Sequence, residues 1–160
     1  MKILYICTHN RCRSILSEAL TNFYGEGLIE ARSAGSQPSG EVHPLSVKYL
    51  DELGVPTARL ASKSWDKFAD YDADLVITLC DSAASETCPL WMGPSAKCHW
   101  PLTDPSKVTG TNEEKKAAFL SCIDQIRKRV DWLADQVRNN TAISAIKDDI
   151  IKSSESNGVL

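Results

Sequence analysis

The chain has 160 residues, of which 42% are hydrophobic and 24% are charged, and these proportions are typical of a single globular domain of ordinary size. The formal net charge of −3 argues against a broad nucleic-acid-binding surface. The first apolar run, at residues 3–7, is too short for a membrane span or for the core of a signal peptide. We therefore expect a cytoplasmic protein that binds neither nucleic acid nor membrane.

The sequence pattern of the first half of the chain predicts two strands and three helices. The strands are expected at 2–6 and 28–32, where short apolar runs occur. A helix between them is predicted by apolar residues at helical spacing, namely Ile15, Leu16, Ala19, Leu20 and Phe23. Two further helices are predicted at 44–53, which begins with proline and precedes a glycine, and at 63–68.

The second half of the chain predicts two more strands and one long helix. A continuous apolar run at 74–79 suits a strand that is covered on both faces of a sheet, and a last strand is predicted at 97–102. The long helix is expected at 113–137. Its apolar face is expected to contain Leu120, Ile123, Ile126, Val130, Leu133 and Val137, and its solvated face Arg127, Lys128 and Arg129.

This alternation of strands and helices predicts an α/β fold, a doubly wound four-stranded parallel sheet with helices on both faces. Residues 1–140 are expected to form the domain, and residues 141–160 a C-terminal extension that is partly helical or disordered.

The carboxyl edge of the predicted sheet gathers reactive side chains. Ligands of doubly wound folds bind at this edge. Cys7 follows the first strand, Cys80 the third, and Asp104 the fourth. If the first and third strands are neighbours, they lie about 4.8 Å apart, and disulfide-bonded Cα atoms lie about 5.5 Å apart. In that case we expect Cys7 and Cys80 to meet with modest movement.

The chain has six cysteines: Cys7, Cys12, Cys80, Cys88, Cys98 and Cys122. In a reducing compartment, this number favours catalytic, redox-active, metal-binding or buried thiols over structural disulfides. We expect structural roles for Cys98 and Cys122.

The segment Cys7-Thr8-His9-Asn10-Arg11-Cys12-Arg13-Ser14 joins the first strand to the first helix and is expected to bind an oxyanion. Its backbone amides can surround an anion at the helix N-terminus, and Arg13 can offer a bidentate fork to a tetrahedral oxyanion. The same positive field is expected to favour the Cys7 thiolate, to which Ser14 can donate a hydrogen bond. Cys12 is expected to support the loop, and His9 to lie at its rim.

The pattern Cys7-x5-Arg13-Ser14, which follows the strand at 2–6 and precedes Ser33-Ala34-Gly35, resembles the low-molecular-weight protein tyrosine phosphatase fold. That superfamily contains phosphatases that act on phosphotyrosine. It also contains arsenate reductases that are coupled to thioredoxin or to a related thiol system.

Other motifs resemble the arsenate reductase branch. The phosphatases carry tyrosines after an Asp-Pro pair, whereas Asp104-Pro105 is followed here by Ser106-Lys107. The segment 79–89, with Cys80 near its start and Cys88-Pro89 at its end, resembles the redox segment of the reductases, as does the later His99-Trp100. The resemblance covers roughly residues 2–138.

Two departures from the family pattern stand near the anion loop. The second residue after the nucleophile is commonly glycine in this superfamily and is His9 here, while Asn10 is retained and tolerates a positive φ. Some members use a potassium site that needs an acidic residue where this chain has Lys63, so no metal is expected.

The resemblance implies a relay of three thiols. Cys7 attacks the arsenic of arsenate, which Arg13 and the loop amides hold, while Asp104 protonates the departing oxygen. Cys80 then attacks the adduct and releases arsenite, and Cys88 attacks Cys80 to leave a Cys80–Cys88 disulfide. The resemblance further implies no bound cofactor, an external reductant (thioredoxin, or glutathione with glutaredoxin), phosphate or sulfate as mimics of arsenate, and a monomer.

Three alternatives stay open. A phosphatase acting on aryl phosphates would use Cys7, Arg13 and Asp104 but would not need the other two thiols of the relay. A metal-binding module could use Cys80, Cys88, Cys98 and His99, although their spacing matches no common zinc pattern. A passive anion-binding regulator is disfavoured by a thiol placed under the bound anion.

Overall fold

The computed structural model describes residues 1–80 and 95–156, which contain one sheet of four parallel strands in the order β2-β1-β3-β4. The strands are β1 (Lys2–Ile6), β2 (Glu30–Ala34), β3 (Leu75–Thr78) and β4 (Ala96–His99). The described residues also form four α-helices, α1 (Arg13–Tyr24), α2 (Pro44–Glu52), α3 (Asn112–Arg138) and α4 (Ile143–Glu155). The predicted α/β fold with a four-stranded parallel sheet is confirmed.

The strand register brings the ends of β1 and β3 to one edge of the sheet. Ile6 at the end of β1 lies opposite Ala34 on one side and Thr78 on the other. The connection that leaves β1 leads to β2 on one side of it, whereas β3 and β4 follow on the other side. The direction in which the chain adds strands therefore reverses between β1 and β3. Cys7 and Cys80 follow these two strands and therefore lie beside the crevice where ligands of such folds bind.

The two faces of the sheet bury alternate residues of each strand, as the two-residue period of a strand requires. Ile3 and Tyr5 face the larger apolar cluster, to which all four α-helices contribute. Leu4 and Ile6 face a smaller cluster, against which the 3₁₀ helix Trp65–Phe68 packs. The main core thus anchors α1, and with it the loop that precedes this helix.

Three element boundaries differ from the predictions. β2 begins at Glu30, two residues late, because the N–H of Leu28 is engaged in a turn with the carbonyl of Gly25. β4 ends at His99 rather than at residue 102, although the N–H groups of Trp100 and Leu102 still donate to the carbonyls of Thr78 and Leu79. The helix expected at 63–68 is only a short 3₁₀ helix, because Ser64 still forms a parallel bridge to the chain beyond β2.

Two residues assigned to apolar helix faces are exposed instead. Phe23 is 45% exposed near the end of α1, where it stacks edge-on against Tyr24. Leu120 is 40% exposed because its neighbour Phe119 takes the core-facing position of α3 and is fully buried. Neither side chain contributes a fully buried surface to the core.

The C-terminal helix α4 packs against β4 and belongs to the main core. Ile146 and Ile150 are buried in it, and the hydroxyl of Ser154 donates to the carbonyl of His99 at 3.0 Å. The expected division of the chain at residue 140 stays a prediction. In the part of the chain that the structure describes, no helix combines the length and the apolar composition that a bilayer crossing requires.

Candidate active site

The loop between β1 and α1, residues 7–12, turns its carbonyl groups toward a neighbouring segment. The carbonyls of Thr8, His9 and Arg11 accept backbone N–H groups from residues 37–43 at 2.9–3.1 Å. In a planar trans peptide the N–H points away from the carbonyl. The amides that follow these three carbonyls are therefore free to face an anion, as an oxyanion-binding loop requires.

A cavity of about 380 Å³ opens at this loop. Most of the residues predicted for the site line it, namely Cys7, Thr8, His9, Asn10, Arg11, Cys12, Arg13, Cys80 and Asp104. Ser106 and Lys107 also line it and were not predicted, although they directly follow the Asp104-Pro105 pair. Cys88, the third thiol of the predicted relay, lies outside the described residues.

Asn10 holds the loop in shape from its buried side. Its φ is +46°, and its side-chain NH₂ group donates to the hydroxyls of Ser14 and Ser33, both at 2.9 Å. Its side-chain oxygen accepts the N–H of Lys63 at 2.7 Å. The prediction that Ser14 donates to Cys7 is wrong for this arrangement: no hydrogen bond joins the two in the described residues, and the Ser14 hydroxyl accepts from Asn10 instead.

A buried carboxylate that we did not predict supports this brace. Glu18 Oε1 accepts hydrogen bonds from the N–H and the hydroxyl of Ser33, at 2.6 and 3.0 Å. The Lys63 ammonium lies 3.7 Å from the same oxygen, and burial lowers the pKa of Lys63 although Glu18 opposes this shift. The signal in the sequence was the position of Glu18, three residues after Ile15 on the buried side of α1.

Gly35 lies directly behind the loop, and we expect Gly35→Ala to weaken phosphate binding by roughly tenfold. A Cβ here would lie 2.8 Å from the carbonyl oxygen of Cys7 and closer still to that of Thr8, so the loop backbone must move. Calorimetric titration with inorganic phosphate measures the change. Gly40→Ala is the control, because its positive φ of 84° brings strain but no atom lies within 4 Å. Equal phosphate affinity in the two variants would contradict this role of Gly35.

Arg13 connects the loop to the segment that carries Asp104. One guanidinium nitrogen donates to the carbonyl of Leu102 at 3.0 Å, and another lies 3.4 Å from Asp104 Oδ2. The other carboxylate oxygen of Asp104 accepts the N–H and the hydroxyl of Ser106, at 2.9 and 2.6 Å. Asp104 is thereby fixed at the start of the 3₁₀ helix Pro105–Lys107, facing the anion loop.

Arg129 anchors the same segment from α3, so its assignment to a solvated face is wrong. Its guanidinium donates to the carbonyls of Trp100 and Pro101 at 2.8 and 2.7 Å and lies 4.5 Å from the centre of the Trp100 ring. Burial lowers the pKa of Arg129 to about 10. Arg127 and Lys128 are exposed, as expected.

Cys7 and Cys80 meet at the sheet edge, as the strand positions predicted. Both thiols are buried in the same cluster and line the same cavity, and a hydrogen bond joins their side chains. This bond and burial raise the pKa of Cys7 well above its usual range, against the lowering effect of Arg13. The expectation that the loop favours the Cys7 thiolate is therefore wrong for this arrangement, because the contact with Cys80 outweighs the guanidinium. Thr8 Oγ1 lies 3.6 Å from Cys80 Sγ.

The remaining described cysteines have the surroundings of packing residues. Cys12 is buried at the start of α1 and accepts a hydrogen bond from the Ser46 hydroxyl at 3.5 Å. Burial raises the pKa of Cys12 to about 11 and those of Cys98 and Cys122 to about 12, so all three stay neutral thiols at pH 7. His9 is exposed, and its Nδ1 lies 3.0 Å from the carbonyl of Gln37. Among the residues described, no group of three His, Cys, Asp or Glu side chains could hold a metal ion.

Curated relatives match most of the chain. The low molecular weight phosphotyrosine protein phosphatase family matches residues 2–143. An arsenate reductase of Halalkalibacterium halodurans is 37% identical over 133 residues, which are 83% of this chain and 94% of the relative. A glutaredoxin arsenate reductase of Synechocystis is 27% identical over 136 residues, which are 85% of this chain and 98% of the relative.

Solved structures show the same likeness. An arsenate reductase in a phosphate-binding state superposes with a TM-score of 0.69 at 28% identity, covering 85% of this chain and 98% of the other. A thioredoxin-dependent arsenate reductase of Corynebacterium glutamicum superposes with a TM-score of 0.66 at 28% identity, covering 88% of this chain and 63% of the other. The chain therefore belongs to the low molecular weight phosphotyrosine protein phosphatase family, and within that family to the arsenate reductases.

Proposed function

We propose that this chain reduces arsenate to arsenite with its own cysteines and ends the reaction in an intramolecular disulfide. The observation that carries the proposal is the contact between Cys7 and Cys80 at the anion loop. A phosphatase needs only the first of these thiols, whereas a reductase needs a second thiol within reach of the first. The relatives named as arsenate reductases support the same reaction.

In the first step, Cys7 attacks arsenic held by the loop amides and Arg13, and a sulfur–arsenic bond replaces an arsenic–oxygen bond. Asp104 protonates the departing oxygen, which leaves as water. Because its contact with Cys80 favours the neutral thiol of Cys7, the proton of Cys7 must pass to the bound anion before the attack. Arg13 must also turn from Leu102 and Asp104 toward the anion to act as a bidentate donor.

In the second step, Cys80 attacks the sulfur of Cys7. The electron pair of the sulfur–arsenic bond passes to arsenic, which leaves as arsenite, and a Cys7–Cys80 disulfide forms. In balance, arsenic gains two electrons, two thiols become one disulfide, and one water is released. Cys88 then attacks Cys80, giving a Cys80–Cys88 disulfide and a free Cys7 thiol. An external thiol reductant closes the cycle.

Thioredoxin or glutaredoxin is the proposed reductant. Two relatives support this class of donor, one named as thioredoxin-dependent and one as a glutaredoxin arsenate reductase. Phosphate and sulfate are proposed as mimics of arsenate because they share its tetrahedral shape. We place the reaction in the cytoplasm, where the five described cysteines would stay reduced, and expect a monomer.

The test is a single turnover without any reductant. Arsenate is added to the reduced protein, arsenite is quantified, and disulfides are mapped by mass spectrometry. We expect one arsenite per chain with a Cys80–Cys88 bond, and a trapped Cys7–Cys80 bond in Cys88→Ser. Cys98→Ala should behave as the wild type. Hydrolysis of an aryl phosphate with every thiol left free would instead favour the phosphatase.

A further inference from the structure

A second and larger cavity, of about 720 Å³, lies beside α1 and shares no lining residue with the cavity at the anion loop. Its volume falls within the range of about 300–1,000 Å³ that is common for small-molecule sites. Apolar side chains form much of its wall: Ala19, Phe23, Pro56, Ala58, Leu60 and Phe68. The exposure of Phe23, unusual for a phenyl ring, occurs at this cavity.

The charged residues of this cavity are mainly basic, although the chain has a net charge of −3. Lys63 is paired with Glu18 at 3.7 Å, and Arg32 with Glu30 at 3.8 Å. Within residues 1–80 and 95–156, Arg59 and Lys67 have no acidic partner. The cavity therefore combines apolar surface with two uncompensated positive charges.

We propose that this cavity binds a small organic anion. Its anionic group, a carboxylate, phosphate or sulfonate, contacts Arg59 and Lys67, and its apolar body lies against Phe23 and Phe68. Charge complementarity favours an anion, because the two exposed cations attract a negative group and give a neutral apolar molecule no such attraction. Lys67 and Arg32 also lower the pKa of Lys63, after the larger effect of burial, as expected for a positive local potential.

Occupation of the cavity is coupled to the anion loop through two residues of its wall. Glu18 accepts hydrogen bonds from the N–H and the hydroxyl of Ser33, and the N–H of Lys63 donates to the Asn10 side chain. An anionic group held by Arg59 and Lys67 also attracts the Lys63 ammonium, which lines the same cavity, away from Glu18. This attraction loosens the brace behind Asn10. The affinity of the loop for phosphate should consequently fall by roughly fivefold when the cavity is occupied. By linkage, bound phosphate should lower the affinity of the cavity for the organic anion by the same factor.

The probe is 8-anilinonaphthalene-1-sulfonate, whose fluorescence rises in apolar surroundings, titrated into the folded wild-type protein. N-phenyl-1-naphthylamine is the same ring system without the sulfonate. We expect one saturable sulfonate site, which weakens roughly tenfold in the double variant Arg59→Gln/Lys67→Gln. The neutral probe should bind more weakly and respond to neither substitution. Lys116→Gln/Lys152→Gln removes two charges from exposed positions outside the cavity and should change nothing.

Several outcomes would overturn the proposal. Equal sulfonate affinity in the wild type and the Arg59/Lys67 variant would show that these cations do not hold the anion. If the apparent Kd of the probe rose without limit as phosphate is added, the probe would be bound in the anion loop. Competition for one site has no upper limit, whereas coupling between separate sites raises the apparent Kd only to a plateau. Saturable binding with no effect on phosphate affinity would overturn the coupling. All these measurements are binding constants, so their outcome does not depend on whether the protein reduces arsenate.

Discussion

Replacing Cys80 with alanine is expected to abolish multiple-turnover arsenate reduction and at the same time to make Cys7 more reactive. Turnover should fall by roughly 10³-fold or more, because the thiol that attacks the Cys7–arsenic adduct is gone. Alkylation of Cys7 by iodoacetamide at pH 7 should accelerate roughly tenfold. The hydrogen bond to Cys80 is the largest cause of the raised Cys7 pKa, and its loss increases the thiolate fraction.

Two measurements check this pair of effects. Arsenite release is followed over many turnovers with a thioredoxin system. Alkylation is mapped to the Cys7 peptide by mass spectrometry from about pH 6 to about pH 10, which spans the usual pKa of a thiol. Because a lower thiol pKa gives more thiolate at a given pH, the alkylation rate of Cys7 should begin to rise at a lower pH in Cys80→Ala than in the wild type. An unchanged Cys7 profile would show that Cys80 does not hold the proton in place. Turnover that survives in Cys80→Ala would refute the relay.

Cys98→Ala is the matched control for this experiment. Cys98 is also a buried cysteine near the end of a strand, and burial raises its pKa to about 12. It does not line the cavity at the anion loop, so neither turnover nor Cys7 alkylation should change. A parallel loss in this control would show that removal of a core thiol is itself enough to disturb the site.

Asn10→Ala should cost about 3 kcal/mol of unfolding free energy and weaken phosphate binding roughly a hundredfold. The substitution removes three hydrogen bonds from a fully buried position, leaving the N–H of Lys63 without its acceptor. It also places alanine at a φ of +46°, which is unfavourable for a residue with a Cβ. Urea denaturation and phosphate calorimetry measure the two effects.

Two further variants separate hydrogen bonding from backbone conformation. Asn10→Gly tolerates the positive φ but lacks the side chain, so its phosphate affinity should stay as weak as that of Asn10→Ala. Asn140→Ala carries the same type of strain, at φ +54° on the exposed surface after α3, and should leave phosphate affinity unchanged. Full recovery of phosphate affinity in Asn10→Gly would mean that the loop needs only the backbone conformation of Asn10.

Local periodicity was sufficient to predict most elements of the fold. Apolar runs of strand length and residues at helical spacing led to four strands and to α1, α2 and α3 within a few residues. Errors occurred where a distant contact ended an element, as when the bridge from Ser64 replaced the start of a helix. Arg129 was wrongly assigned to the solvated face because its hydrogen-bond acceptors, the carbonyls of Trp100 and Pro101, lie 29 and 28 positions earlier in the chain. The residues next to Arg129 in the sequence do not indicate this contact.

The sequence by itself determined the reactive groups and their edge of the sheet. A cysteine after the first strand, an arginine six residues on, and a second cysteine after the third strand share one edge when the strands run parallel. The two cysteines meet because β1 and β3 are neighbours, which only the strand order of the structure shows. Only the tertiary structure decided that the contact with Cys80 raises the pKa of Cys7 and that Glu18 and Ser33 support Asn10. A thiol pKa depends on burial and on neighbours far away along the chain, and a carboxylate such as Glu18 becomes a brace only when folding brings Ser33 and Lys63 to it.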